Sequence, residues 1–165
     1  MQELMEVEID RHEVWLKECE KLGFSPDVRR YTDGTRTSQD AADQLGCDIA
    51  HIAKSIIFMG KDGVAVVVIT SGSNKVDKKK KVKNLLGYKP SMAIAEYVLE
   101  ATGYPPGGVP PFGHLKSTTV LMDEDLLQYD VVWGACGTAD TVFPIAPSEL
   151  LRMTEATVGD VKLNT

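Results

Sequence analysis

The chain has 165 residues, 43% hydrophobic and 25% charged, with a formal net charge of −6. Those proportions are those of an ordinary globular chain, and they exclude disorder, collagen and coiled coil as classes. The longest wholly apolar run, Val64 to Ile69, is far short of the ~20 residues that span a bilayer. Met1 to Arg11 carries Glu3, Glu6, Glu8 and Asp10 where a secretory signal would be basic and then apolar. A single soluble, cytoplasmic domain over 1–165, with no membrane contact, is the expectation. Cys19, Cys47 and Cys136 are too widely spaced for a zinc box and odd in number, so reduced thiols are expected. His12, His51 and His114 are equally scattered, and no metal site is expected.

In chain order, Leu4, Val7, Trp15 and Leu22 recur near a 3.6-residue period, which predicts an amphipathic helix at about 4–22 ended by Gly23. Beyond Ser25-Pro26 a short strand is expected over Val28–Tyr31, with a turn at Asp33-Gly34. Ser38 reads as the N-cap of a helix over Gln39–Leu45 that stops at Gly46. Two β-branched runs, Ile56–Met59 and Val64–Ile69, flank Gly60-Lys61-Asp62-Gly63 and predict a hairpin. The lysine-rich stretch up to Leu86 is expected to be helical, as is Ser91–Ala101. The segment 103–113 holds four prolines and four glycines in eleven residues, so it is neither helix nor central strand but a shaped loop. Strands are expected at Thr118–Met122, Val131–Ala135 and Thr141–Ile145. A helix from Pro147 to Met153 and a short element at Val158–Leu163 close the chain. Irregular alternation with one strong hairpin predicts an α/β (α+β) fold, a mixed sheet with helices packed on it.

Charge is unevenly spread. Lys75 to Lys89 contains seven lysines and one acid, while the other 150 residues carry 11 basic and 23 acidic groups. Such an island suits a phosphate-bearing partner, although lysine runs also serve as solvated helix faces. Lys54, at the mouth of the first hairpin strand, is placed as a point charge for a phosphate or an oxyanion, or else as a surface lysine at a strand edge. Gly107-Gly108 remove two side chains, so main-chain groups can approach a ligand; a tight structural crossover would use the same composition.

These segments resemble the YbaK-type aminoacyl-tRNA deacylases, relatives of the editing domain inserted in many bacterial prolyl-tRNA synthetases. The resemblance is carried by Ala41-Ala42-Asp43-Gln44-Leu45-Gly46, Ile52-Ala53-Lys54-Ser55, Val76-Asp77 with the lysine stretch ending Leu86-Gly87, the loop from Thr102 to Gly113, and Gly134-Ala135-Cys136-Gly137. It covers roughly Thr37 to Val161. It implies a partly curled mixed sheet surrounded by helices, and trans-editing hydrolysis of the ester of a mischarged tRNA. The amino acid would be small, such as Cys or Ala on tRNA-Pro. The resemblance makes Lys54, Gly107 and Gly108 the catalytic set, with Ser55, Tyr104, Pro106, Val109, Gly134 and Gly137 around the substrate. Lys79, Lys80 and Lys83 would hold the acceptor end of the tRNA, and an aminoacyl-tRNA synthetase is a further expected partner. No metal or other cofactor is implied, and His114 and Cys136 receive no catalytic role. The alternatives are a non-catalytic tRNA- or protein-binding module of the same fold, and hydrolysis of another small acyl ester.

Overall fold

The computed structural model describes residues 9–32 and 37–164. Helix α1 runs Arg11–Leu22; Asp10 is its extended N-cap, accepting from the His12 and Glu13 amides, and Gly23 ends it at φ 71°. Leu4, Val7 and the Asp33-Gly34 turn lie outside the described residues. Strand β1 is only Arg29–Arg30, and α2 spans Ser38–Leu45 behind a Thr37–Asp40 capping box. The hairpin is present as β2 (Ala53–Met59) and β3 (Ala65–Ser71), paired through all seven residues. Its strands extend past the β-branched runs, so Lys54 lies inside β2 opposite Thr70 rather than at its mouth.

The lysine stretch departs from a plain α-helix. Lys78–Val82 form a π-helical turn closed by Val82 N–H on the Asp77 carbonyl, and only α3 (Lys83–Leu86) is α-helical. The wide turn seats Val82 in the core while Asp77 caps the Lys80 amide. Ser91–Met92 are likewise not helical. They form β4 on the edge of β2, and α4 begins only at Ala95 and runs to Thr102. Segment 103–113 is a loop, as its prolines require. Strands β5 (Thr118–Asp123), β6 (Val132–Ala135) and β7 (Thr141–Ile145), helix α5 (Pro147–Thr154) and strand β8 (Thr157–Gly159) follow. The last segment runs back along the lysine island, with Asp77 N–H on Val161 and Leu163 N–H on Lys75, both 2.7 Å.

The sheet is mixed and divided. One part has the order β4-β2-β3-β5-β8 and the other β1-β7-β6. The two meet at a single parallel bridge, Ile52 to Trp133. Strand β3 is buried throughout, and its alternate residues supply two cores. Val67 and Ile69 face Trp15, Phe112, Met122 and Phe143, while Val66 and Val68 face Val82, Leu121 and Val161. This is the α/β arrangement expected from the sequence, a mixed sheet surrounded by helices.

Candidate active site

A cleft of about 250 Å³ opens where the two parts of the sheet separate. Four consecutive residues of β2, Ala53 to Ile56, line one side, and Trp133, Gly134 and Ala135 of β6 line the other. Gly107 and Val109 come in from the loop, and Tyr31, Thr37, Ser38 and Ala41 from the start of the chain. Lys54 is half-buried here and makes no ion pair among the described residues. Burial lowers its pKa below the usual lysine value, and the charge of nearby Lys75 lowers it further. The near end of the lysine island therefore lies within electrostatic reach of the cleft. Burial also pushes the Tyr31 phenol up to about 12, so it remains a proton donor at neutral pH.

The loop that delivers Gly107 is held from several directions. The Gly108 amide donates to the Pro105 carbonyl (2.9 Å), closing a turn with Gly107 at φ 85°, a conformation that suits glycine. The Gly108 carbonyl accepts from Gly137 N–H (2.9 Å), and a Cβ at Gly108 would lie 2.9 Å from the Gly137 carbonyl oxygen. From α1, Arg11 donates to the Gly103 carbonyl (2.9 Å), Trp15 Nε1 to Phe112 (3.0 Å) and His12 Nδ1 to Cys136 (2.8 Å). His114 Nε2–H donates to the Pro110 carbonyl (2.7 Å), and its Nδ1 faces the Thr118 hydroxyl (2.9 Å). Burial keeps the pKa of His114 low.

The structure thus brings Lys54, Ser55, Gly107, Val109 and Gly134 together. It separates four other residues expected at the substrate. Tyr104 is fully buried in the core, its hydroxyl bound to the Gly113 carbonyl at 2.8 Å. Pro106 is exposed at the turn. Both main-chain groups of Gly108 are used within the loop and its contact with Gly137. Gly137 is glycine because a Cβ would meet the Arg11 carbonyl at 2.5 Å. Lys79, Lys80 and Lys83 are exposed and do not line the cleft, whereas Lys81 is drawn into an ion pair with Asp160 at 2.8 Å. Trp133 and Tyr31 escaped the sequence reading because an aromatic residue in a strand pattern reads as core. The Arg29 guanidinium sits 5.1 Å from the Trp133 ring centre. Among the described residues, no group of three or more His, Cys, Asp or Glu is placed to hold a metal ion, and no helix is long and apolar enough to cross a membrane.

A split mixed sheet with a lysine and a glycine loop at the split defines an α/β domain with a small-ligand cleft. Residues 32–153 match the aminoacyl-tRNA editing domain family, and the chain belongs to it. By class it is an aminoacyl-tRNA deacylase. The uncharacterized protein YwhH of Bacillus subtilis is 33% identical over 124 residues, 75% of this chain and 78% of that one. A candidate Cys-tRNA(Pro)/Cys-tRNA(Cys) deacylase, EbsC of Enterococcus faecalis, is 24% identical over 153 residues, 93% of this chain and 88% of that one. A crystal structure described as a candidate trans-editing enzyme for prolyl tRNA synthetase superposes with a TM-score of 0.88 at 36% identity, covering 96% of this chain and all of that one. The proline–tRNA ligase of Thermosipho melanesiensis is 32% identical over 96 residues, 58% of this chain but only 17% of the ligase.

Proposed function

We propose that the chain is a trans-editing enzyme whose editing domain spans 1–165 and works in the cytoplasm. It hydrolyses the ester of a small amino acid, such as Cys or Ala, attached in error to tRNA-Pro. The observation that carries this reading is Lys54, a half-buried ammonium without an anionic partner among the described residues, which lines the cleft together with Gly107. Its charge suits the carbonyl oxygen as it becomes an oxyanion, or the phosphate of the terminal nucleotide. No carboxylate or imidazole belongs to the described residues that line the cleft. The described lining suits positioning of the already activated ester against water or the substrate's own hydroxyl. Ala53, Val109, Gly134, Ala135 and Val142 make a small apolar lining that admits a small side chain. One methylene changes the discrimination by only ~1–3 kcal/mol, which is why a separate editing step is useful. The description of the trans-editing structure, and one of the two tRNAs in the name of EbsC, support proline-specific tRNA as the carrier, and a synthetase is the partner that would supply it. Main-chain groups of Gly107 would face the aminoacyl end.

The test is deacylation of alanyl-, cysteinyl- and seryl-tRNA-Pro by the wild type and by Lys54→Ala. The variant should fold normally and lose about 100-fold or more in kcat, the scale of losing one oxyanion-stabilising group. Hydrolysis by Lys54→Ala at the wild-type rate would remove Lys54 from the chemistry. Binding of all three substrates without hydrolysis by the wild type would make the chain a binding module.

A further inference from the structure

The cleft is lined by four consecutive residues of one strand, which is unusual because successive side chains of a strand point to opposite faces. A ligand that meets all four is meeting the strand's edge. On its outer side β2 is paired at Ile52, by the bridge to Trp133, and at Phe58–Met59, by β4. Between those points the edge has no partner strand among the described residues.

The hydrogen-bond phase identifies which groups are open. Gly72 N–H donates to the Ile52 carbonyl at 2.7 Å, so that carbonyl points at β3, while the Ile52 N–H closes the preceding turn on the Ile49 carbonyl at 3.0 Å. In an antiparallel ladder the direction alternates residue by residue. With the observed register, Lys54 and Ile56 also face β3, and Ala53 and Ser55 face the cleft. The same argument holds across the split. Cys136 N–H donates to the Thr141 carbonyl at 3.3 Å, which turns Cys136 and Gly134 toward β7 and leaves Trp133 and Ala135 facing β2. Pro144, which has no N–H, sits opposite Trp133, where this phase requires no bond between them. The N–H and C=O of Ser55 and of Ala135 therefore open into the cleft from its two walls. Ala53, Ser55, Gly134 and Ala135 are all small, so a ligand can reach the main chain.

We propose that this split edge recognises the main-chain atoms of the aminoacyl group itself: the α-ammonium donates to a main-chain carbonyl, and the acyl oxygen accepts from a main-chain N–H, at Ser55 and Ala135. The inference rests on the editing function proposed above. The amino acid occupies the place of the missing strand, a short form of strand addition. Such recognition explains how the cleft holds a cationic amine although no carboxylate is among its described lining residues and Lys54 is a like charge. It also makes the free amine a requirement whatever the side chain.

The test uses the amide analogue of alanyl-adenosine, 3′-alanylamino-3′-deoxyadenosine, with the full chain labelled for amide NMR. Saturation with this probe should slow hydrogen exchange by tenfold or more at the Ser55 or Ala135 amide, whichever donates to the acyl oxygen. The lactyl analogue, which carries hydroxyl in place of the amine, should bind at least tenfold more weakly. Binding of the probe with a shifted Lys54 signal but unchanged Ser55 and Ala135 amides overturns the inference and leaves the editing function standing. So does equal affinity for the two analogues. Failure of both the probe and aminoacyl-tRNA to bind would sink the editing function itself, and this inference with it.

Discussion

Replacing Trp15 by phenylalanine tests whether α1 is the clamp of the cleft loop. Trp15 is fully buried, with ring centres 4.8 Å from Phe143 and 5.7 Å from Phe112, and its indole N–H donates to the Phe112 carbonyl. Phenylalanine keeps a ring in the site but deletes that donor. The Phe112 carbonyl, in a residue only 4% exposed, then loses its indole partner. A buried acceptor without a partner costs about 1–3 kcal/mol, and the lost ring volume adds about 1 kcal/mol. The expected total is about 3 kcal/mol. At about 2–4 °C per kcal/mol for a chain of this size, Tm falls by about 6–12 °C in calorimetry. Function should move as well, because Phe112 and Gly107 belong to one loop. Deacylation at 25 °C, where the variant is still folded, should fall about tenfold in kcat, since small misplacements of a reacting geometry are expensive. Unfolding within about 0.5 kcal/mol of the wild type, the scatter of a neutral surface change, together with unchanged kcat would refute the clamp.

The lysine island and the buried histidine give two further expectations. Changing Lys79, Lys80 and Lys83 together to glutamine should raise KM for every tRNA and reduce the slope of log affinity against log salt by about 2–3, with kcat little altered. Lys81→Gln, which only releases Asp160, should leave KM alone. An unchanged salt slope in the triple variant would mean that tRNA docks elsewhere. For His114 the folded pKa is depressed below 6.5 by burial, so the unfolded chain binds more protons just below that pH. Stability should therefore fall as pH drops from about 6.5, and His114→Gln should flatten that part of the denaturation profile. A pH dependence identical to the wild type's would take His114 out of it.

Where side-chain chemistry and backbone geometry agree, the sequence was readable. The β2–β3 hairpin follows from β-branched runs around a Gly/Asp turn, and Gly23, Gly46 and Gly87 end helices in the left-handed conformation. The readings that shifted are those where tertiary pairing overrode local pattern. Ala53, Lys54 and Ser55 carry no β signal, yet they pair with residues 69–71. Ser91 and Met92 read as the start of a helix but are captured by the edge of β2. A 3.6-residue period cannot register the π turn at Lys78–Val82, although Lys79, Lys80 and Lys83 do emerge as the exposed group. At the cleft, Lys54 and Gly107, singled out by their own chemistry, lie together with Ser55, Val109 and Gly134, which the resemblance supplied. Gly108, Gly137 and Tyr104 are conformational and packing residues of the same loop system, a distinction that requires their contacts.

The distribution of satisfied and unsatisfied polar groups separates scaffold from site. Asp123, fully buried, is saturated: its Oδ2 accepts from Thr70, the Ser71 amide and Asn74 at 2.8–3.1 Å, and its Oδ1 from the Asp125 amide. That network holds the end of β3 beside Lys54 and the turn leading to Lys75, so the cationic side of the cleft rests on a fully bonded carboxylate. His12, Trp15 and His114 are equally bonded, and all of them hold the loop or its neighbours. At the cleft the pattern reverses. Among the described residues Lys54 has no anion, the buried Ser55 hydroxyl has no hydrogen-bond partner in the protein, and the adjoining edge of β2 has no strand. Lys81 Nζ also lacks a well-directed hydrogen bond, but it has Asp160 at 2.8 Å. Unmade bonds of this kind are costly to a fold, and natural interiors hold few of them. Their concentration in the split between β2 and β6, where Lys81 Nζ is the other unbonded buried side-chain polar atom among the described residues, is what a site complementary to a polar substrate requires.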